Sequence, residues 1–461
     1  MNRGRAAVLA FGFAMAAYAQ PPLEHDTEGK RLHDTCGEFK VIGCLTELFT
    51  DHPFHIGVGS LAPGNGFAVG PAFSFAHHSL PSKTEGPDGK TTRSWRVAYD
   101  VDGGVSSNAS WRAGAYVTAW YTVEKPTVLR EGPPPPPRKL ILLPSSLMIR
   151  GYVQSESLKK LSFYGLGPSS SRSSLTTYAM KETIAGASVT SPRRTPAELT
   201  MFAEANMRAV SLSNPVGYAA TQQLVNNVSA TQAYAQFGQG VRIQPVINRF
   251  QFDYTGKLQE FAAPGSNYSF ERFTVDLNHT FVIDGVSIPK TRNFNGPDSC
   301  STGTSDKQRA CPKVGMSENR EGTIGFRFLM NESFTSSGNA VPFYFQPTMG
   351  GGDINGEKML PSYADYRFRA PNLMLLRGTF EHSLGKLPIG VQFQADAGKV
   401  SMTHGFGSSP FVHSFAAGIN IRAGGFPVLS VMFAWGGGEG THTLAGVNSS
   451  LLGGGGRPSL Y

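Results

Sequence analysis

From Trp111 to Thr122 the side chains alternate: Trp111, Ala113, Ala115, Val117, Ala119 and Tyr121 make one apolar face, and Arg112, Gly114, Thr118 and Thr122, with Tyr116 and Trp120, make the other. A period of two marks a strand with unlike faces. Trp111 and Tyr121 lie about 23 Å apart along a barrel axis at ~3.3 Å per residue and a tilt of roughly 45°, which fits an apolar band about 25 Å tall with an aromatic girdle at each edge. The pattern recurs. Leu199, Met201, Ala203, Ala205 and Met207 alternate with Thr200, Phe202, Glu204, Asn206 and Arg208, and Phe273, Val275, Leu277 and Phe281 oppose Arg272, Thr274, Asp276 and Asn278. Ile389, Val391, Phe393 and Ala395 oppose Gln392, Gln394 and Asp396, and Leu429, Val431, Phe433 and Trp435 continue the series.

A soluble sandwich would bury the apolar face, whereas a membrane barrel turns it to lipid and its polar face to a lumen. Many of the patterned segments are longer than the mode of about 5–6 residues in globular sheets, which favours spanning a bilayer. The expectation is an all-β fold, a transmembrane antiparallel barrel of about 16 strands, closed so that no edge is left unpaired in lipid. Arg96, Arg112, Arg208, Arg272, Arg327 and Arg422 fall on its inner faces. Residues 62–66 and 103–108 read as turns, and 77–93, 124–145 and 284–320 as long polar loops. The sidedness of the barrel stays open.

Arg3 and Arg5 precede an apolar run from Ala6 to Ala17, and Ala17-Tyr18-Ala19 reads as a small-x-small cleavage site. Residues 1–19 are therefore expected to be a removed export signal, 20–53 a cap or plug, and 54–461 the barrel. Phe39, Ile42, Leu45 and Leu48 stand near helical spacing within the cap, which could equally be a linker. Composition agrees with strands and turns: 54 glycines, 11% aromatic and only 16% charged residues. The formal charge of +8 is dispersed rather than clustered, so no nucleic-acid partner is expected. In an exported chain four cysteines read as two local bridges, Cys300 with Cys311 and, given a turn near Gly37 or Gly43, Cys36 with Cys44.

Four local segments resemble a known family. Phe163-Tyr164-Gly165-Leu166-Gly167-Pro168-Ser169-Ser170-Ser171 is similar to the FYGLGP(N/D)S turn of bacterial surface antigen barrels, the outer-membrane superfamily that includes BamA, TamA and the two-partner-secretion transporters. Leu360-Pro361-Ser362-Tyr363-Ala364-Asp365-Tyr366-Arg367-Phe368-Arg369 resembles the segment where the family's long sixth outer loop folds back into the barrel. Asp396 and Gly398 match the acidic and glycine positions of the strand that receives that loop, and Gly438-Glu439-Gly440 is similar to a further family stretch. The resemblance is strongest from about residue 140 to 440.

It implies a loop arginine inserted into the lumen and paired with a wall carboxylate. Pro361 stands where the family has that arginine and Ser362 where it has a glycine, so the charge reaching Asp396 is expected from Arg367 or Arg369, with Tyr363, Phe368 and Gly398 completing the contact. The resemblance also implies outer-membrane protein assembly or polypeptide translocation in the outer membrane of a Gram-negative-type bacterium. Outer-membrane lipid is the expected partner, and other outer-membrane or periplasmic proteins are left open. Residues 20–53 are too few for the periplasmic POTRA domains that precede such barrels. A passive porin and a surface-anchoring barrel therefore stand as alternatives. The glycines flanking residues 441–448 point to a loose seam between that strand and 54–61. No enzyme, metal or cofactor is expected, because the histidines are scattered and no G-x-S-x-G or H-E-x-x-H frames one.

Overall fold

A computed structural model describes residues 54–79, 82–86, 89–124, 146–193, 198–213, 231–247, 249–284, 322–384, 389–407, 409–423, 426–447 and 458. The chain begins with Phe54–Ser60 (β1), Phe67–His78 (β2), Ser82–Gly86 (β3), Gly89–Ser106 (β4), Trp111–Glu124 (β5), Ser146–Phe163 (β6) and Thr176–Thr190 (β7). It continues through Leu199–Ser213 (β8), Thr231–Ile243 (β9), Val246–Ile247 (β10), Phe250–Ala262 (β11), Phe270–Asp284 (β12) and Gly322–Phe334 (β13). Thr348–Met349 (β14) and Phe368–Arg369 (β15) lie within one loop, and Asn372–Ser383 (β16), Ile389–Ser401 (β17), Val412–Ala423 (β18), Phe426–Trp435 (β19) and His442–Val447 (β20) complete the order.

The main sheet has 18 strands, and neighbours along the chain pair antiparallel from β1 to β20. β3 pairs with β4 only beyond the end of β2, and β10 pairs with β11 only beyond β9, so both extend a neighbour and sixteen staves remain. That is the expected all-β barrel and its strand number. Among the described residues no pairing joins β20 back to β1.

Burial is inverted relative to a soluble domain. Met207, Phe326 and Phe433 are 61–62% exposed, whereas Arg208, Arg272, Glu182 and Asp396 on the other face of the wall are buried. Large apolar groups outside and charged groups inside are what a lipid-facing wall requires. Aromatic pairs mark its rim: Trp95 stands opposite Tyr121 with ring centroids 4.9 Å apart, and Phe250 meets Phe281 at 4.9 Å. No helix among the described residues is long and apolar enough to cross a membrane, which says nothing of strands.

Two loop expectations are corrected. Most of 77–93 is paired backbone, since β3 and the start of β4 form a hairpin. Gly103 and Gly104 belong to β4 rather than to a turn, and the turn follows at 107–110. The glycine this pairing requires is Gly70 of β2, where a Cβ would lie 1.9 Å from the Gly103 carbonyl oxygen.

The connection between β13 and β16, residues 335–371, supplies the core. Residues 341–354 are buried throughout, as are 359–363 and 366–370. Phe343, Tyr344, Phe345 and Tyr366 pack with Leu158, Phe163, Tyr178, Tyr234, Phe261 and Phe270 from the walls β6, β7, β9, β11 and β12. Met349, Met359, Leu360, Tyr363 and Phe368 pack on the opposite side with Leu373, Leu375 and Val400 of β16 and β17. The hydrophobic core therefore lies inside the barrel, between the wall and its own returning loop.

Candidate functional site: the lumen loop and its receiving wall

The loop enters as a narrow ladder, β14 against β15, with Met349 opposite Phe368 and Thr348 opposite Arg369. Above the ladder the backbone folds on itself: the Gly350 N–H donates to the Met359 carbonyl at 3.0 Å, the Met359 N–H to Gly351 at 2.9 Å, and the Tyr366 N–H to Gly350 at 3.0 Å. Gly350 is required here twice over. Its φ of +107° is left-handed, and a Cβ would lie 2.4 Å from that of Arg367. Tyr366 and Leu360 take left-handed φ values of 62° and 51° without being glycine, a strain that surrounding contacts must hold.

The Asp365 carboxylate accepts the Gly352 N–H at 2.7 Å inside this fold. Burial pushes its pKa above the ordinary carboxylate range, opposed by that hydrogen bond and by the Lys358 ammonium. Burial likewise lowers the pKa of Lys358. The Tyr363 and Tyr366 hydroxyls are raised by the same desolvation.

Asp396 is buried on the inner face of β17 and receives the loop, though not as expected. Arg377, directly opposite on β16, donates Nε to Asp396 Oδ1 at 2.9 Å and Nη2 to Oδ2 at 3.0 Å. The loop contributes a main-chain donor instead, the Leu360 N–H to Asp396 Oδ2 at 2.8 Å. The expected ion pair of Arg367 or Arg369 with Asp396 is thus replaced. A wall arginine already neutralises the carboxylate, and Pro361 leaves no cationic side chain at the point of approach. Gly398, two residues along the same face, keeps the path open: a Cβ there would lie 2.8 Å from Met349 Sδ.

Arg367 and Arg369 point elsewhere. Arg367 Nε pairs with the Glu439 carboxylate in the β19–β20 turn, while its Nη1 and Nη2 donate to Ser170 Oγ at 2.9 Å and Ser170 O at 2.8 Å in the β6–β7 turn. Its guanidinium also lies 4.6 Å from the Phe368 ring centroid. The three segments read as similar to family words, 163–171, 360–369 and 438–440, therefore meet at one residue. Arg369 donates to the Phe343 carbonyl at 2.6 Å and to the Tyr178 hydroxyl at 3.3 Å. Tyr363 packs edge-on against Phe368, at 5.0 Å, and over Gly437, where a Cβ would meet its ring at 2.6 Å.

Several other charges on the inner wall engage either the loop or one another. Arg327 of β13 pairs with Asp276 at 2.8 Å and with Glu357 of the loop. Arg272 donates to the Phe345 carbonyl, Arg208 pairs with Glu182 at 3.2 Å, and Arg112 faces Asp102 at 3.7 Å. Arg96 is exposed, 5.3 Å from the Trp120 ring centroid. The side chain of Arg422 and all of Cys36, Cys44, Cys300 and Cys311 lie outside the described residues.

Sequence reading missed Arg377, Lys358 and Tyr366. Arg377 was findable, since it alternates with Leu376 and Gly378 onto the face shared with Thr379 and Glu381. Lys358 and Tyr366 carry no periodic signal, because the loop has no repeating geometry. Chemically the arrangement holds a loop in place with neutralised charges. Among the described residues no group of three or more His, Cys, Asp and Glu side chains gathers as a metal would need.

No protein-family model matches this sequence, and no curated protein matches it. Solved structures similar to it include BamA from Haemophilus ducreyi lacking POTRA domains 1–3, at 10% identity and a TM-score of 0.45, over 88% of this chain and 78% of that one. CdiB from Escherichia coli is similar at 11% identity and a TM-score of 0.44, over 83% of this chain and 58% of that one. CdiB from Acinetobacter baumannii follows at 8% identity and a TM-score of 0.42, over 79% of this chain and 56% of that one. This chain thus spans little more than half the length of the CdiB chains.

Proposed function

We propose that this chain is an outer-membrane barrel of the assembly or translocation type rather than a passive porin, exported with removal of residues 1–19. The observation that carries the reading is the lumen loop. Residues 341–354 are buried throughout, and the surrounding loop is tied to β13 through Arg327–Glu357, to β17 through Leu360–Asp396 and to β18 through the Ser362 N–H on Ser414 Oγ at 2.8 Å. A pore that serves steady diffusion needs an open aqueous path. Here aromatic side chains of the loop fill the space between the walls. The local resemblance of the 163–171 and 360–369 segments to the surface antigen barrels supports the same reading and supplies the polypeptide client class.

The purified protein in a planar lipid bilayer tests it. Long closed periods broken by brief, variable openings are expected. A stable, ohmic open current in every insertion event would assign the chain to the porins instead.

A further inference from the structure

We propose that the consecutive residues Tyr366 and Arg367 form a clasp across the seam of the sheet, holding its first and last turns to one loop. β1 and β20 are short, 7 and 6 residues, and among the described residues they do not pair. Both ends of the sheet nevertheless reach the lumen loop. The Tyr366 hydroxyl donates to the Pro63 carbonyl in the β1–β2 turn at 3.1 Å. The next side chain, Arg367, pairs with Glu439 in the β19–β20 turn.

The clasp is built to stay put. The Tyr366 backbone is anchored by its N–H to the Gly350 and Gly352 carbonyls at 3.0 and 3.3 Å, and its ring is buried. Pro63 also abuts the loop directly, since a Cβ on Gly352 would lie 2.6 Å from Pro63 Cγ. On the other side Arg172 of the β6–β7 turn donates to the Glu439 carbonyl at 2.9 Å, and Lys358 Nζ donates to Ala445 O of β20 at 3.0 Å. Lys358 thus adds a tie from the same loop on β20 itself, beside the one Arg367 makes in the preceding turn. Terminal strands are the first to open locally, so ties to the loop count most at β1 and β20.

The clasp does not depend on the client proposed above, so a porin-like current would leave it standing. Hydrogen–deuterium exchange on the full-length protein in detergent micelles tests it, with Tyr366→Phe and Arg367→Ala compared with wild type. Arg367→Ala is expected to speed amide exchange across residues 442–447 about tenfold, the scale of one charge-assisted hydrogen bond. Tyr366→Phe is expected to speed exchange across 54–60 and the 61–66 turn by about threefold or more, the scale of a neutral hydrogen bond. In both variants β8 and β9 keep their protection. Unchanged exchange at both ends overturns the clasp, and so does an equal rise through β7 to β12, which would mean general loosening. If Arg367→Ala fails to assemble, Glu439→Gln removes the charge from the turn alone and must speed exchange in 442–447 for the proposal to stand.

Discussion

Asp396 shows how a single carboxylate organises its surroundings by accepting from several donors at once: Arg377 through two nitrogens, the Leu360 N–H and Gln394 Nε2 at 2.9 Å. Removing a fully buried partner strands the other charge, a loss of about 3–5 kcal/mol. A double-mutant cycle separates the two possible arginine partners. Asp396→Ala with Arg377→Ala is expected to show strong coupling, while Asp396→Ala with Arg367→Ala is expected to be additive within about 0.5 kcal/mol, both read from thermal unfolding in detergent. Coupling to Arg367 would restore the pairing that the sequence implies. Asp365 behaves differently, because burial raises its pKa while the Gly352 N–H and then the Lys358 and His442 side chains facing it oppose the rise. A carboxyl whose folded pKa is raised contributes stability that is fully present below its unfolded value of about 3.9 and is lost as pH rises through the folded value. Loop protection against protease should therefore fall as pH rises through that window. Asp365→Asn, whose amide oxygen can still accept the Gly352 N–H, should flatten the dependence.

Among the elements, the strands and the lumen loop differ in how far the sequence disclosed them. Period-two alternation reported the staves because each faces lipid on one side and the lumen on the other, and Met207 against Arg208 on β8 is that contrast in adjacent residues. β3 went unseen because its residues, Ser82–Gly86, are a polar hairpin end with no apolar face to alternate. The loop's entry was legible only as resemblance, and its partners were not: which wall charge meets which loop atom depends on how β14 and β15 aim the segment. Gly398 is where loop and strand constrain each other. Gly398→Ala is expected to cost about 1–3 kcal/mol by pushing on the buried Met349 sulfur. Combining it with Met349→Ala should cost less than the two single changes added together, measured as shifts in the unfolding midpoint. Strict additivity would show that the glycine serves the strand and not the loop.

At the scale of the whole molecule, the barrel is stabilised from inside. A wall of sixteen staves would enclose a channel if its lumen held only water, and here the two largest clusters of buried apolar residues both include the returning loop. The lumen's occupant is thus part of the fold and also what stands in any path through it. Excising the tip tests whether those roles can be separated. The Tyr366 N–H reaches the Gly350 carbonyl at 3.0 Å, so a short glycine link can replace residues 352–364 while the β14–β15 ladder and the Phe343–Phe345 packing remain. The shortened chain is expected to insert into planar bilayers and stay mostly closed, because Phe343, Tyr344 and Phe345 still fill the space between the walls, and to unfold at lower temperature because Leu360 no longer reaches Asp396. A shortened chain that inserts and carries a sustained current would place the barrier in the excised tip instead, and would move the obstruction from the loop's aromatic neck around Tyr344 and Phe345 to its end.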